Sequence, residues 1–340
     1  MALRFPPGPP NWGLGYWTVR GIRRDILGSY ARWQDKYGDI VYARMGPFHD
    51  YTIFHPDMVK EVLVTKAKCF QRMAWQRRVF RQWNGNSILL SKGDFWLRQR
   101  RLVQRAFQPK RFQHYGQAMV GCTRRMLDDW RTQAGQLQLD IVKTMTDLTI
   151  NIIAKTMFDA DVTGSARRIG EAVSILNGVA MYELMYPFRL PDWMPREYSR
   201  KKKWAIGYLD DLIRQTILQR RASGEDHGDL LSMLLLAVDE EGDGGGMTDE
   251  QVRDESMTLL LAGHDTTAAG LAWLWYVLAQ NPKVQDRVQD ELGHVLNGRD
   301  PTADVVPRLK YTEQVLMETL RMYPPAIGTL APSSDSCVSP

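Results

Sequence analysis

Cysteine is scarce in this 340-residue chain: Cys69, Cys122 and Cys337 are all there is. No CxxC or other zinc-type spacing is present, and an odd count argues against a disulfide framework. A reducing cytoplasm is the simplest compartment for such a chain. A signal peptide is also missing, since MALRFPPGPPNWG has no apolar core and turns to proline at Pro6. The one apolar run long enough to cross a bilayer, LLLAGHDTTAAGLAWLWYVLA from Leu259 to Ala279, contains His264 and Asp265. An Asp at the bilayer centre costs about 2.5–3.5 kcal/mol, so this run reads as a buried helix of a soluble core, with no transmembrane anchor. The charge excess is small, +5, and no Arg/Lys–aromatic recognition pattern accompanies it. That argues against nucleic acid and suits an acidic protein partner or an anionic ligand. No metal site is expected, because His264-Asp265 has no third ligand at useful spacing.

Apolar residues make up 44% and charged residues 24%, with eleven tryptophans and ten phenylalanines that need a core. The start, FPPGPPNWGLGYW, reads as extended and proline-stiffened. Ile26, Tyr30, Trp33 and Tyr37 recur at helical spacing after Asp25, and Gly38 stops that helix. DIVYARMGPFHDYTIFHP alternates around Gly46-Pro47 and predicts a hairpin. DMVKEVLVT predicts a helix after Pro56. Beyond Gly93 the pattern is helical over about 94–107, 109–134, 138–158, 165–182, 197–223, 228–238, 248–280, 282–297 and 310–322. The interruptions are YPFRLPDWMP (186–195) and DEEGDGGGMT (239–248), where Thr248 begins a capping box with Gln251. The fold class is therefore mostly α with a small N-terminal β part.

Three stretches place polar residues on apolar faces. In GDFWLRQRRLVQRAFQP, a wheel of roughly 100° per residue groups Trp96, Arg100, Val103 and Phe107, and puts Arg98, Arg101 and Arg105 opposite. Arg100 either pairs with a carboxylate elsewhere or, with the Trp96 indole N–H, binds an anionic group. The outer arginines are a solvated face or a docking face for an acidic partner. In LLLAGHDTTAAGLAW, weak helix formers cluster in mid-helix. Ala262 and Gly263 would allow close approach, and a turn opened beside Thr266 would admit a small ligand. Asp265 would relay protons. The alternative is a packing glycine and a capped polar cluster. In ETLRMYPP, Glu318 shares a face with Tyr311, Val315 and Met322, with Arg321 in reach. Glu318 and Arg321 form either a buried ion pair or an exposed surface bridge.

Together and in this order, Trp-x-x-x-Arg, AGHDTT and Glu-x-x-Arg before a double proline closely resemble the cytochrome P450 haem-thiolate monooxygenases. The resemblance runs from the proline-rich start to about Leu330. It implies one family domain over 1–330, incomplete at the C-terminus, and a Ser/Pro-rich tail at 331–340. It implies haem b as cofactor, with Trp96 and Arg100 at the propionates and Ala262, Gly263, Asp265 and Thr266 above the iron. There the Asp/Thr pair helps deliver protons during oxygen activation. Glu318 and Arg321 match the family's structural lock, region 70–90 and the loop around 183–195 match its pocket-lining segments, and Arg98, Arg101 and Arg105 match its docking surface for an electron donor. The implied protein is a cytoplasmic monomer that oxidises a small apolar substrate with electrons from a ferredoxin, flavodoxin or reductase.

The family's Phe-x-x-Gly…Cys-x-Gly loop, which carries the iron ligand, is absent from these residues. Cys337, in PSSDSCVSP, has neither the Phe-Gly approach nor the following Gly. A shifted frame or premature stop is the expected explanation, and an inactive chain the expected consequence. The alternative is a non-catalytic remnant that binds an apolar ligand or haem.

Overall fold

The computed structural model describes residues 5–71, 73–107, 109–132, 138–158, 165–185 and 196–329. The 186–195 loop, the 331–340 tail and Cys337 lie outside the described residues. The chain divides into two compact units, one of N-terminal residues through Ala74 and one spanning Trp75–Thr329.

In the first unit, α1 (Trp12–Arg24) and α2 (Ile26–Tyr37) precede a hairpin of β1 (Ile40–Met45) and β2 (Phe48–Ile53). The strands pair antiparallel from Ile40–Ile53 to Met45–Phe48. Ile22, Trp33, Val41 and Ala43 form the core. Asp25 caps α2 by accepting the Gly28 N–H at 2.8 Å, and Gly38 ends it with φ 88°. Helix α1 was not expected from the proline-rich pattern. Gly13, Leu14 and Gly15 are left-handed within it, so the helical period is broken where it would have been read. A side chain at Gly15 would strike the Arg44 carbonyl at 1.7 Å, which explains the residue. After α3 (Pro56–Lys60) the chain widens into a π-type turn, Glu61–Thr65, in place of one continuous helix.

The second unit is helical: α4 (Ala74–Asn84), α5 (Gly93–Arg105), α6 (Pro109–Arg131), α7 (Ile141–Phe158), α8 (Ser165–Met185), α9 (Glu197–Ser223), α10 (Leu230–Leu236), α11 (Asp249–Gln280), α12 (Pro282–Leu296) and α13 (Lys310–Met322). The expected helices after Gly93 are all present, with boundaries shifted by a few residues. Helix α11 packs chiefly on α7 and α9, and α8 on α9. Leu176, Leu209, Ile213, Leu231, Met257 and Leu260 are fully buried there. Each such side chain contributes about 1.5–3 kcal/mol relative to exposure. The predicted capping box at Thr248 and Gln251 is formed. Among the described residues, no helix is long and apolar enough to cross a membrane.

A buried ion pair ties three helices of this unit together. Lys202 Nζ on α9 lies 2.7 Å from Glu183 Oε1 on α8, and both side chains are buried. Gln82 on α4 donates to Glu183 Oε2 at 2.6 Å, and Tyr198 donates to Oε1 at 3.0 Å. Of the cysteines among the described residues, Cys122 is buried and free.

Candidate functional site

The wheel of α5 correctly separates its arginines but mislocates the packed face. The buried residues are Gln99, Leu102 and Val103, whereas Phe107 and Arg100 are exposed and Trp96 half-buried. Periodicity identifies which residues share a stripe. It does not say which stripe meets the core. Arg98, Arg101 and Arg105 all reach the acidic connector between α10 and α11. Arg98 donates to Asp243 at 3.1 Å and to the Gly246 carbonyl at 2.9 Å. Arg101 grips Asp239 through two bonds of 2.7 and 2.6 Å, with the Asp239 side chain only 1% exposed. Arg105 donates to Glu240 at 2.9 Å. These bonds hold Asp239 and Glu240 below the usual carboxylate range. Arg100 makes no ion pair among the described residues, and its guanidinium lies 5.2 Å from the centroid of the Trp96 ring.

The N-terminal third of α11 holds residues 83–88. Arg253 donates to the Trp83 carbonyl at 2.7 Å, Asp254 accepts the Asn86 N–H at 2.7 Å, and Glu255 accepts the Ile88 N–H at 2.8 Å. Thr258 donates to Ser87 at 2.6 Å. These charged residues were not singled out in the sequence. The available signal was an Arg-Asp-Glu run at the entry to an apolar helix. Glu255 is fully buried, its Oε2 has no hydrogen-bond partner, and burial pushes its carboxyl up to about 8.

Further along α11, Ala262, Gly263, Thr266 and Thr267 form an exposed strip, while His264 is buried and Asp265 half-buried. The turn beside Thr266 is not opened as expected. Helix α11 runs unbroken, and Thr266 donates back to the Ala262 carbonyl at 2.7 Å. The close approach at Gly263 is to α7, where a Cβ would lie 2.8 Å from Ile153 Cδ1. His264 Nδ1 is 3.0 Å from Thr149 Oγ1 on α7, and its Nε2 is 3.3 Å from Asp265 Oδ1. Asp265 Oδ2 accepts from Asn177 on α8. Burial holds the His264 imidazole below its ordinary value, against the opposing pull of Asp265 and Asp147.

On α13, Arg321 donates twice to Glu318, both bonds 2.7 Å. The side chains are 71% and 56% exposed, so this is a surface bridge in the described residues and not a buried pair. The buried side of α13 is centred on Thr319, and Met322, expected beside Glu318, is exposed with it. Helix α13 packs on α11, and Trp273 of α11 stacks on Tyr323 with centroids 4.3 Å apart. All three motifs thus belong to the second unit, without a direct hydrogen bond or ion pair between them among the described residues.

An anionic, flat cofactor with a prosthetic iron can be tested against these groups. Arg100 and Trp96 offer donors that no described carboxylate satisfies, and the α11 strip offers a surface with little side-chain bulk. The free cysteine among the described residues, Cys122, is buried on α6, where Arg125 donates to its sulfur at 3.3 Å, so it offers no thiolate to such a group.

Residues 6–333 match the cytochrome P450 family model. The chain is 36% identical to cyclooctat-9-en-7-ol 5-monooxygenase of Streptomyces melanosporofaciens, over 85% of this chain and 62% of that protein. It is 34% identical to cyclooctatin synthase of the same organism, over 89% of this chain and 69% of that protein. With pentalenene oxygenase of Streptomyces avermitilis the identity is 30%, over 88% and 66%. The chain thus spans 62–69% of the length of these three relatives.

Proposed function

Because the chain belongs to the cytochrome P450 family, we propose that its residues build part of a haem-dependent monooxygenase that inserts one oxygen atom into an apolar substrate. An olefinic hydrocarbon or alcohol is the substrate class we assign, following the names of the Streptomyces relatives. Haem b supplies the oxygen-activating chemistry when bound. Arg100, with the Trp96 indole, holds a propionate. Supporting this is the contrast along α5: three arginines have acidic partners in the chain, and Arg100 has none among the described residues. That contrast is the observation that carries the reading.

Ala262 and Gly263 leave room beside the cofactor. The Thr266 hydroxyl, now donating to the Ala262 carbonyl, can rotate to hold a proton at the reacting side, and Asp265 resupplies it. Glu318 and Arg321 fix each other's geometry and remain accessible for a further partner, as a lock requires. Residues 1–330 act within one family domain. The working form is a cytoplasmic monomer that receives NAD(P)H-derived electrons from a ferredoxin, flavodoxin or reductase.

On this reading the described residues supply the propionate-binding and proton-handling groups and no thiolate for the iron. The alternative is a non-catalytic remnant that binds haem or an apolar ligand. Titrating the chain with haem, reducing it under carbon monoxide and recording the Soret band tests these statements. We expect weak uptake without a thiolate-type band, weakened further by Arg100→Ala. A thiolate-type band would place an iron thiolate within these residues, and uptake indifferent to Arg100→Ala would overturn the propionate assignment. Tight stoichiometric uptake without that band would favour the remnant.

A further inference from the structure

Four side chains from three helices meet at the middle of α11, and counting their protons fixes their roles. The His264 ring is 1% exposed. Its two nitrogens face Thr149 Oγ1 at 3.0 Å and Asp265 Oδ1 at 3.3 Å. Thr149 has one hydroxyl proton and three acceptors in reach: His264 Nδ1 at 3.0 Å, the Met145 carbonyl at 2.9 Å and the Thr146 carbonyl at 3.1 Å. A neutral imidazole has one N–H. With that proton on Nδ1, the bare Nε2 would face a carboxylate oxygen, acceptor against acceptor. With it on Nε2, the Thr149 hydroxyl can donate to Nδ1, and the N–H turns its positive end toward the Asp265 carboxylate in the 3.3 Å contact. Met145, Leu148 and Ala268 make up the nearby apolar core. The charged groups acting on the ring are Asp265 on α11 and Asp147 on α7. The polar partner from α8 is the neutral Asn177, which donates to Asp265 Oδ2.

We propose that His264, as the Nε2–H tautomer supported by Thr149, is a positioning residue that acts with Asn177 to hold both oxygens of the Asp265 carboxylate. The inference rests on the reading of Asp265 and Thr266 as the proton-handling pair and adds how that pair is held at rest. Asp265 Oδ2 takes a bond from Asn177, Oδ1 lies 3.3 Å from His264 Nε2, and the Thr266 proton is committed to the Ala262 carbonyl. Each carboxylate oxygen keeps a further lone pair, so the carboxylate is positioned without being blocked.

The test uses the full chain without haem, labelled with 15N in histidine side chains and in asparagine amides. His264 is assigned by the signal lost in His264→Gln. The expected result at neutral pH is a protonated Nε2 and an acceptor-type Nδ1. Asp265→Asn should lower the imidazole titration midpoint further, because the carboxylate that favours the cation is gone. His264→Gln keeps an N–H near the Nε2 position, and His264→Asn reaches only the Nδ1 position. The Asn177 amide proton shift should therefore stay put in His264→Gln and move upfield in His264→Asn. An Nδ1–H tautomer, or equal shifts in both variants, would overturn the proposal. Should His264→Asn not fold, the wild-type tautomer decides alone. Haem uptake is read separately: its failure with the expected tautomer removes the monooxygenase reading, and its success with the wrong tautomer removes only this one.

Discussion

Glu255 carries the clearest consequence at the scale of one residue. Its carboxyl is buried, one oxygen takes the Ile88 N–H and the other has no partner. Its proton is held up to about 8, against an ordinary 4.5. Below the lower value folded and unfolded states both bind the proton, and above the upper value neither does. Between them the folded state keeps a proton that the unfolded state releases, so stability falls as pH rises, by up to about 1.4 kcal/mol per unit. Glu255→Gln cannot ionise and still accepts from Ile88. Denaturant melts at pH 5 and pH 8 should show the wild type losing on the order of a few kcal/mol more than the variant. A sequence reading reaches the residues that break local rules, such as Asp265 in an apolar run or Arg100 on an apolar stripe. It passes over Glu255 because a Glu near a helix N-terminus breaks none. What makes it unusual is the bond it accepts from Ile88, 167 positions away, in the segment held against α11.

Among elements, the α8–α9 pair depends on Lys202 and Glu183. Lys202→Met takes one buried charge out of this network and should lower stability in denaturant unfolding, and adding Glu183→Leu should recover part of the loss. A double variant as unstable as the single would show that the cost lies in packing and not in the charge balance. Helix positions were legible because their apolar period is long, as in α9 and α11. Helix α1 was not, because three left-handed residues interrupt it just where prolines suggest extension. Helix α5 was legible as an amphipathic element but not in orientation, because two adjacent stripes both carry apolar residues. The acids that answer its arginines lie 135–145 positions away, in a connector that read only as glycine-rich and flexible.

For the whole molecule, the second unit leaves Met317, Met322, Ile327, Trp275 and Tyr276 exposed together with the Glu318–Arg321 bridge. Exposed apolar surface of this kind marks an interaction site or an aggregation liability. The isolated chain should bind a hydrophobic dye, and Met317→Lys with Met322→Lys should lower dye binding without lowering the melting temperature. Unchanged dye binding would place the responsive surface elsewhere.

The ion pairs between α5 and its acidic connector bear on any electron donor that approaches Arg98, Arg101 and Arg105. Those arginines face a competitor tethered to the same chain, hence at high effective concentration. Docking there is an exchange in which the newcomer displaces Asp243 and Glu240, and the net gain is the difference between two similar sets of contacts. Such an exchange should depend only weakly on salt. Replacing both acids, Asp243→Asn with Glu240→Gln, should tighten binding of an acidic donor and make it fall steeply with ionic strength. Titration of an acidic ferredoxin at low and high salt checks this, and an unchanged affinity would mean that the donor docks elsewhere.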